Sequence, residues 1–278
     1  MKLFIGPAGD CSATKGKGAA VSFAHLQSIG LNAQELEFVQ QVYLKHDAAV
    51  EVGKAALACG IHVSIHAPYY INLCTLDKEK LAASKKRIAD SLDRAEALQA
   101  PGPIAVHPGF FQQQDKQVCF DAVVAACVEL SEKYPKALLG LETTGKHSAF
   151  GSFKEVLDVC KASKRKNVVP VVDFAHIYAR NMVKIDFAAV LDEFLSYGHK
   201  ELYSHFSGIA FGEKGEKNHL PVSSNSPPFS ELAAELKKRE NKFSKAAIVC
   251  ESPLLENDAL VLKKQAEKAG LPLSRYAP

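Results

Sequence analysis

The chain has 278 residues, 47% of them hydrophobic, with a formal charge of +3 and a pI near 8.4. That apolar content supports a large buried core, and so mild a basic balance neither demands nor excludes a polyanionic partner. No segment approaches the roughly 20 apolar residues that span a bilayer, so a cytoplasmic chain with no membrane partner is expected.

In chain order, short apolar runs predict strands at 3–8, 34–39, 62–67, 103–107, 138–143, 168–173, 202–207 and 246–251. Longer segments of helical period alternate with them near 16–29, 47–59, 77–99, 114–134, 151–163, 186–197, 229–241 and 257–269. Eight of each, in alternation, predict a (β/α)8 TIM barrel, an α/β fold built as a single domain over 1–278. A doubly wound open sheet shares the alternation, but it binds near one switch point and would not draw ligands from many strands. Asp77 and Ser152 are placed to open helices, and Gly30, Gly60 and Gly270 to follow them. Residues 208–228 carry neither period and are expected to form a long loop after the seventh strand. The seven cysteines form no Cys-x-x-Cys pair, which argues against disulfides and suits a reducing compartment.

Six of the strand runs end in, or pass directly into, a histidine or carboxylate: SIHA at His66, AVHPG at His107, GLETT at Glu142, VVDFAH at Asp173 and His176, YSHFSG at His205, and IVCESP at Glu251. Every strand of such a barrel ends at one rim, so side chains far apart in sequence become neighbours there. Singly, each has a plain explanation as a satisfied polar residue; together they predict a metal site. Imidazole and carboxylate donors without thiolates suit Zn²⁺, with Mn²⁺ as the alternative, in a catalytic centre. Glu142, Asp173, His205 and Glu251 would by themselves hold one ion, as in Lewis-acid chemistry on sugars. His66, His107 and His176 exceed that need. If Glu142 bridges, they can hold a second and third ion, the arrangement that favours phosphoester hydrolysis.

The runs HAPYYINL (66–73), VHPG (106–109), LETT (141–144), VDFAH (172–176), SHFSG (204–208) and CES (250–252) resemble, in order and spacing, the motifs of the endonuclease IV family. These are the trinuclear-zinc AP endonucleases of the xylose isomerase-like TIM barrel superfamily, and the resemblance is to their archaeal-like form. It implies a metal-dependent endodeoxyribonuclease of base excision repair. Such an enzyme hydrolyses the phosphodiester 5′ to abasic sites in duplex DNA, leaving a 3′-hydroxyl and a 5′-deoxyribose phosphate. By the same resemblance, two or three zinc ions are expected. His66 and His107 with bridging Glu142 would hold one, Glu142 with Asp173, His205 and Glu251 a second, and His176 with His219 a third. Glu142 and Glu251 are the catalytic candidates. The bacterial-type pattern of an Asp and a His two residues apart is absent; Glu216, Asn218 and His219 stand in its place, which makes Glu216 a further candidate ligand.

The resemblance also places Tyr69 and Tyr70 in the loop that enters the DNA minor groove, although two aromatic residues packing at a barrel rim would look the same. The longer Arg-bearing loop of the family after the second strand is replaced by YLKHD (43–47), leaving Lys45. Strand order puts Lys45, Lys146, His147, Arg180, Lys184, Lys214 and Lys217 on the catalytic side, with Lys45, Arg180 and Lys217 as candidate phosphate contacts. The most basic run, KASKRK (161–166), falls on the opposite rim. No phosphate loop or Gly-x-Ser-x-Gly elbow is present. A monomer is expected. Two rival functions remain open: a single-metal sugar isomerase or epimerase, and a DNA- or metabolite-binding barrel without turnover.

Overall fold

A computed structural model describes residues 1–182 and 185–276; Lys184 lies outside them. The strands are β1 (Lys2–Pro7), β2 (Ala33–Glu37), β3 (His62–His66), β4 (Ile104–Val106), β5 (Gly109–Phe110), β6 (Leu139–Glu142), β7 (Ala149–Phe150), β8 (Val168–Asp173), β9 (Glu201–Phe206), β10 (Gly208–Gly212), β11 (Gly215–Leu220) and β12 (Lys245–Cys250). The helices are α1 (Ala19–Ser28), α2 (His46–Cys59), α3 (Lys78–Leu98), α4 (Lys116–Lys133), α5 (Phe153–Ser163), α6 (Phe174–Asn181), α7 (Phe187–Ser196), α8 (Phe229–Lys238) and α9 (Glu256–Lys268).

Eight parallel strands pair in the order β1-β12-β9-β8-β6-β4-β3-β2. The seam between β1 and β2 brings the ring nearly to closure: Gly9 N donates to Glu35 O at 2.9 Å, and the Asn32 side chain bonds Ile5 N at 2.8 Å and Leu3 O at 3.0 Å. Gly6 is required at this seam, because a Cβ there would stand 1.6 Å from Ala33 O. The (β/α)8 barrel predicted from the alternation is the observed fold.

Strands buried on both faces read as continuous apolar runs, and the inward positions stack in layers. Phe4, Ala33, Ala105, Val171, Tyr203 and Ala247 fill the lower interior, with His62 stacked on Phe4 at 4.8 Å. Burial, with help from Lys245, pushes the His62 imidazole down to about 3, so it plugs the barrel as a neutral ring. Outside the sheet, Phe23, Leu26, Ile88, Leu92, Leu157 and Leu262 belong to the buried layer between strands and helices. The helix signals hold locally: Asp77 accepts from Glu79 N and Lys80 N, Ser152 forms a capping box with Glu155, and Gly60 takes the left-handed conformation at φ 66°.

The structure differs from expectation in three places. The first helix starts at Ala19 rather than 16, because Gly16 and Gly18 adopt φ of 77° and 85°. The segment 208–228 is no loop: β10 and β11 form an antiparallel hairpin, followed by a 3-10 turn at Val222–Ser224. Its strand signal is hidden because β11, GEKNHL, is largely polar, whereas Ile209 of β10 packs on Ala175 and Ala179 of α6. Helix α6 itself was not foreseen. It continues directly from β8, opened by the Asp173 carboxylate accepting from His176 N at 2.7 Å. No described helix is long and apolar enough to cross a membrane.

Candidate metal centre

The C-terminal ends of β3, β4, β6, β8, β9 and β12 meet at one mouth, and their terminal side chains converge there. Two sets of groups have ligand atoms all within 4.8 Å of one another: His66, His107 and Glu142; and Glu142, Asp173, His205 and Glu251. Glu142 belongs to both. Its Oε2 lies 3.2 Å from His66 Nε2 and 3.1 Å from His107 Nε2, while its Oε1 lies 3.1 Å from His205 Nδ1. Glu251 Oε1 is 3.3 Å from that same His205 nitrogen. Short sequence steps produce this convergence: His66, Glu142 and Asp173 close their strands, His107 and Glu251 follow theirs by one residue, and His205 stands one residue before the end of β9.

Glu142 Oε2, Asp173 Oδ2 and Glu251 Oε2 are buried without a hydrogen-bond partner among the described residues. The imidazole approaches to Glu142 Oε2 are therefore short but not aligned as hydrogen bonds. Orphaned carboxylate oxygens facing imidazole nitrogens in a buried space are costly as they stand, and a divalent cation satisfies both partners at once. The donor set fits a metal ion.

The electrostatics agree. Burial pushes the Glu142 carboxyl upward, but the imidazoles of His107 and His205 outweigh it and hold the group well below its ordinary range. Burial lowers His66, yet Glu142 and Glu37 reverse the effect and carry it up to about 10. His176 and His205 are likewise raised well above the ordinary value, against burial, by the surrounding carboxylates. Glu251 goes the other way: burial, with the charges of Glu142 and Asp173, pushes it well above the carboxylate range despite His205. Without ions, this cluster holds protons in the places where cations would sit.

His176, His219 and Glu216 do not assemble a third set of the same closeness among the described residues. His176 Nδ1 faces Thr143 O at 2.9 Å, leaving Nε2 to meet Glu216 Oε2 at 3.2 Å. Glu216 is itself held by Gly145 N at 3.1 Å and approached by Lys146. His219 stands with its ring 5.4 Å from that of His176, but its Nδ1 is engaged by Ser207 Oγ at 2.6 Å. The hairpin thus delivers both residues to the mouth, with Glu216 the nearer to His176.

Tyr69 and Tyr70 are exposed at 55% and 67%, and the Tyr69 ring lies 5.7 Å from that of His66. Tyr69 thus stands beside the site, and Tyr70 follows it with its side chain open to solvent. Lys45 is exposed at the start of α2, and Lys217 is exposed on β11. Arg180, expected as a phosphate contact, is engaged by the protein itself. Its guanidinium donates to Thr144 O at 3.2 Å, Lys146 O at 2.8 Å and Ala149 O at 3.2 Å, so it braces the loop after β6.

Two acidic residues of the mouth were missed by attending to strand ends. Glu35 and Glu37 lie on β2 at alternate positions with Ala33, a spacing that turns both inward. Glu35 is fully buried beside His205. Burial pushes the Glu37 carboxyl up to about 7, and its Oε1 has no hydrogen-bond partner among the described residues. Two carboxylates alternating within an otherwise buried strand, QELEF, were the available signal.

Comparison with known proteins agrees with this architecture. The chain is 32% identical over 277 residues to the uncharacterized protein MJ0133 of Methanocaldococcus jannaschii, covering 95% of this chain and 97% of that one. It is also 32% identical over 133 residues to a "Probable endonuclease 4" of Heliobacterium modesticaldum, covering 46% of this chain and 48% of the relative. Among solved structures, a D-tagatose 3-epimerase-like protein superposes with a TM-score of 0.74 at 17% identity, covering 97% of each chain. A xylose isomerase domain protein from Planctomyces limnophilus superposes with a TM-score of 0.71 at 14% identity, covering 97% of this chain and 99% of that one. At such identity these two likenesses speak for the fold alone. A family model matches residues 23–272, and the chain belongs to the xylose isomerase-like TIM barrel family.

Proposed function

We propose that this chain is a zinc-dependent AP endonuclease that hydrolyses the phosphodiester 5′ to abasic sites in duplex DNA, as a cytoplasmic monomer serving base excision repair. The observation that carries this reading is the sharing of Glu142 between two neighbouring sets of ligand groups. A single-ion site would leave His66 and His107 only to contact substrate; a clustered site uses both as ligands. The partial likeness to "Probable endonuclease 4" runs in the same direction.

Zinc ions held by these residues would supply Lewis acidity to the scissile phosphate and the departing oxygen. Glu142, fully buried and kept ionised, supplies the common carboxylate around which the histidines are ordered. Glu251 Oε2 lacks a partner; held as a carboxylate by the ions, whose charge would offset that of Glu142 and Asp173, it would take a proton from the attacking water. Tyr69 and Tyr70 stand where a base-less nucleotide would enter, and rotating such a nucleotide out of the helix costs less because no base must be unstacked. Lys45 and Lys217 are exposed for backbone phosphates.

The complete set Glu142, Asp173, His205 and Glu251 also favours a second reading, a single-ion sugar epimerase. The experiment uses the zinc-loaded chain on a synthetic duplex carrying one abasic site. A nick on the 5′ side with an extendable 3′-hydroxyl, abolished by chelator, supports the nuclease. An uncut duplex, with a ketose epimerised instead, supports the sugar enzyme, and tight binding without turnover identifies a binding protein.

A further inference from the structure

His205 is held by both ring nitrogens, and only one of them faces the shared site. Its Nδ1 lies 3.1 Å from Glu142 Oε1 and 3.3 Å from Glu251 Oε1. On the far side, Nε2 lies 3.1 Å from Glu35 Oε1. The other Glu35 oxygen accepts from Ser64 Oγ at 2.7 Å. Glu35 is 1% exposed and belongs to neither set of converging ligand groups. It sits one inward position below the end of β2, under the mouth, in the layer of Ser64.

We propose that Glu35 is a positioning residue for His205: its carboxylate, steadied by the Ser64 hydroxyl, takes the Nε2–H and so leaves the Nδ1 lone pair turned toward an ion shared with Glu142 and Glu251. An imidazole can present a bare nitrogen to a metal on one side only if its proton is kept on the other, and an outer carboxylate does this while raising the ring's strength as a donor. Glu35 Oε1 is buried and has no other hydrogen-bond partner among the described residues, so the facing His205 Nε2–H is the donor within its reach. The assignment rests on the mouth being a metal centre, but not on the substrate.

The test is calorimetric zinc titration of ion-free protein, comparing wild type with Glu35→Gln, Glu35→Leu and Ser64→Ala, alongside thermal melts of the ion-free proteins. Glu35→Gln keeps a neutral acceptor, and Glu35→Leu removes it. The expected result is a loss of affinity of about tenfold for Gln and about a hundredfold for Leu at one class of site. Ser64→Ala should give a smaller loss in the same direction, and the class containing His66 and His107 should change little. Partial rescue by Gln relative to Leu separates positioning from packing. Wild-type zinc affinity in Glu35→Leu overturns the assignment, as does an equal loss at both classes of site. If Glu35→Leu does not fold, unchanged affinity in Glu35→Gln overturns it instead. Normal zinc binding without cleavage of abasic DNA would sink the nuclease reading and leave Glu35 in place.

Discussion

Glu251, 14% exposed, is more open than Glu142 and Asp173, and burial with the charges of those two carboxylates raises it despite His205. Replacing it with Gln keeps the shape and removes both the ligand charge and the proton acceptor. Incision by Glu251→Gln should fall at least about a hundredfold, near 2.7 kcal/mol of barrier, with an unchanged circular dichroism spectrum; wild-type rates would remove Glu251 from the chemistry. Tyr69 makes the complementary case. Its ring is half open to solvent over His66, so Tyr69→Ala should weaken damaged-duplex affinity about tenfold, or about 1.4 kcal/mol, while incision at saturating DNA changes little. Equal affinity in a gel-shift titration would return Tyr69 to rim packing.

At the level of elements, the loop after β6 and the β10–β11 hairpin act together. Arg180 bonds the carbonyls of the loop, and Gly145 N in that loop holds Glu216 of the hairpin at 3.1 Å. Arg180→Gln should therefore destabilise the fold by about 1–3 kcal/mol, the cost of leaving buried carbonyls unpaired. The salt dependence of DNA binding should stay as it was. A log–log salt slope shallower by about one unit would mean that Arg180 meets a phosphate after all. The strands were legible because runs such as SIHA and VVDFAH are apolar, short and bounded, and their terminal residues carry chemistry. Helix α6 was not legible, since its cap is Asp173, a residue already claimed by the site. The hairpin was hidden by the polar face of β11, Glu35 by lying inside its strand, and Glu37 because the expected strand ran on to residue 39 whereas β2 ends at Glu37.

Across the whole molecule, ion binding, protonation and folding are one coupled equilibrium. Because the ion-free His66 is raised from 6.5 to about 10, its contribution to ion-free stability is complete below pH 6.5 and lost as pH rises through about 10. Zinc must displace protons from this cluster, so loading at neutral pH should release protons and apparent affinity should fall as pH falls. Calorimetry in buffers of different ionisation enthalpy reads that release directly, and a titration without proton exchange would contradict the coupling.

The central claim is that several ions share one carboxylate above the barrel and that the centre so formed cuts abasic DNA. Elemental analysis of purified chain, titrated in parallel with incision of an abasic duplex, tests it most directly. Activity that rises with zinc and saturates only at two or more ions per chain is the predicted result; saturation of the protein at a single ion, with the duplex left whole, would contradict it.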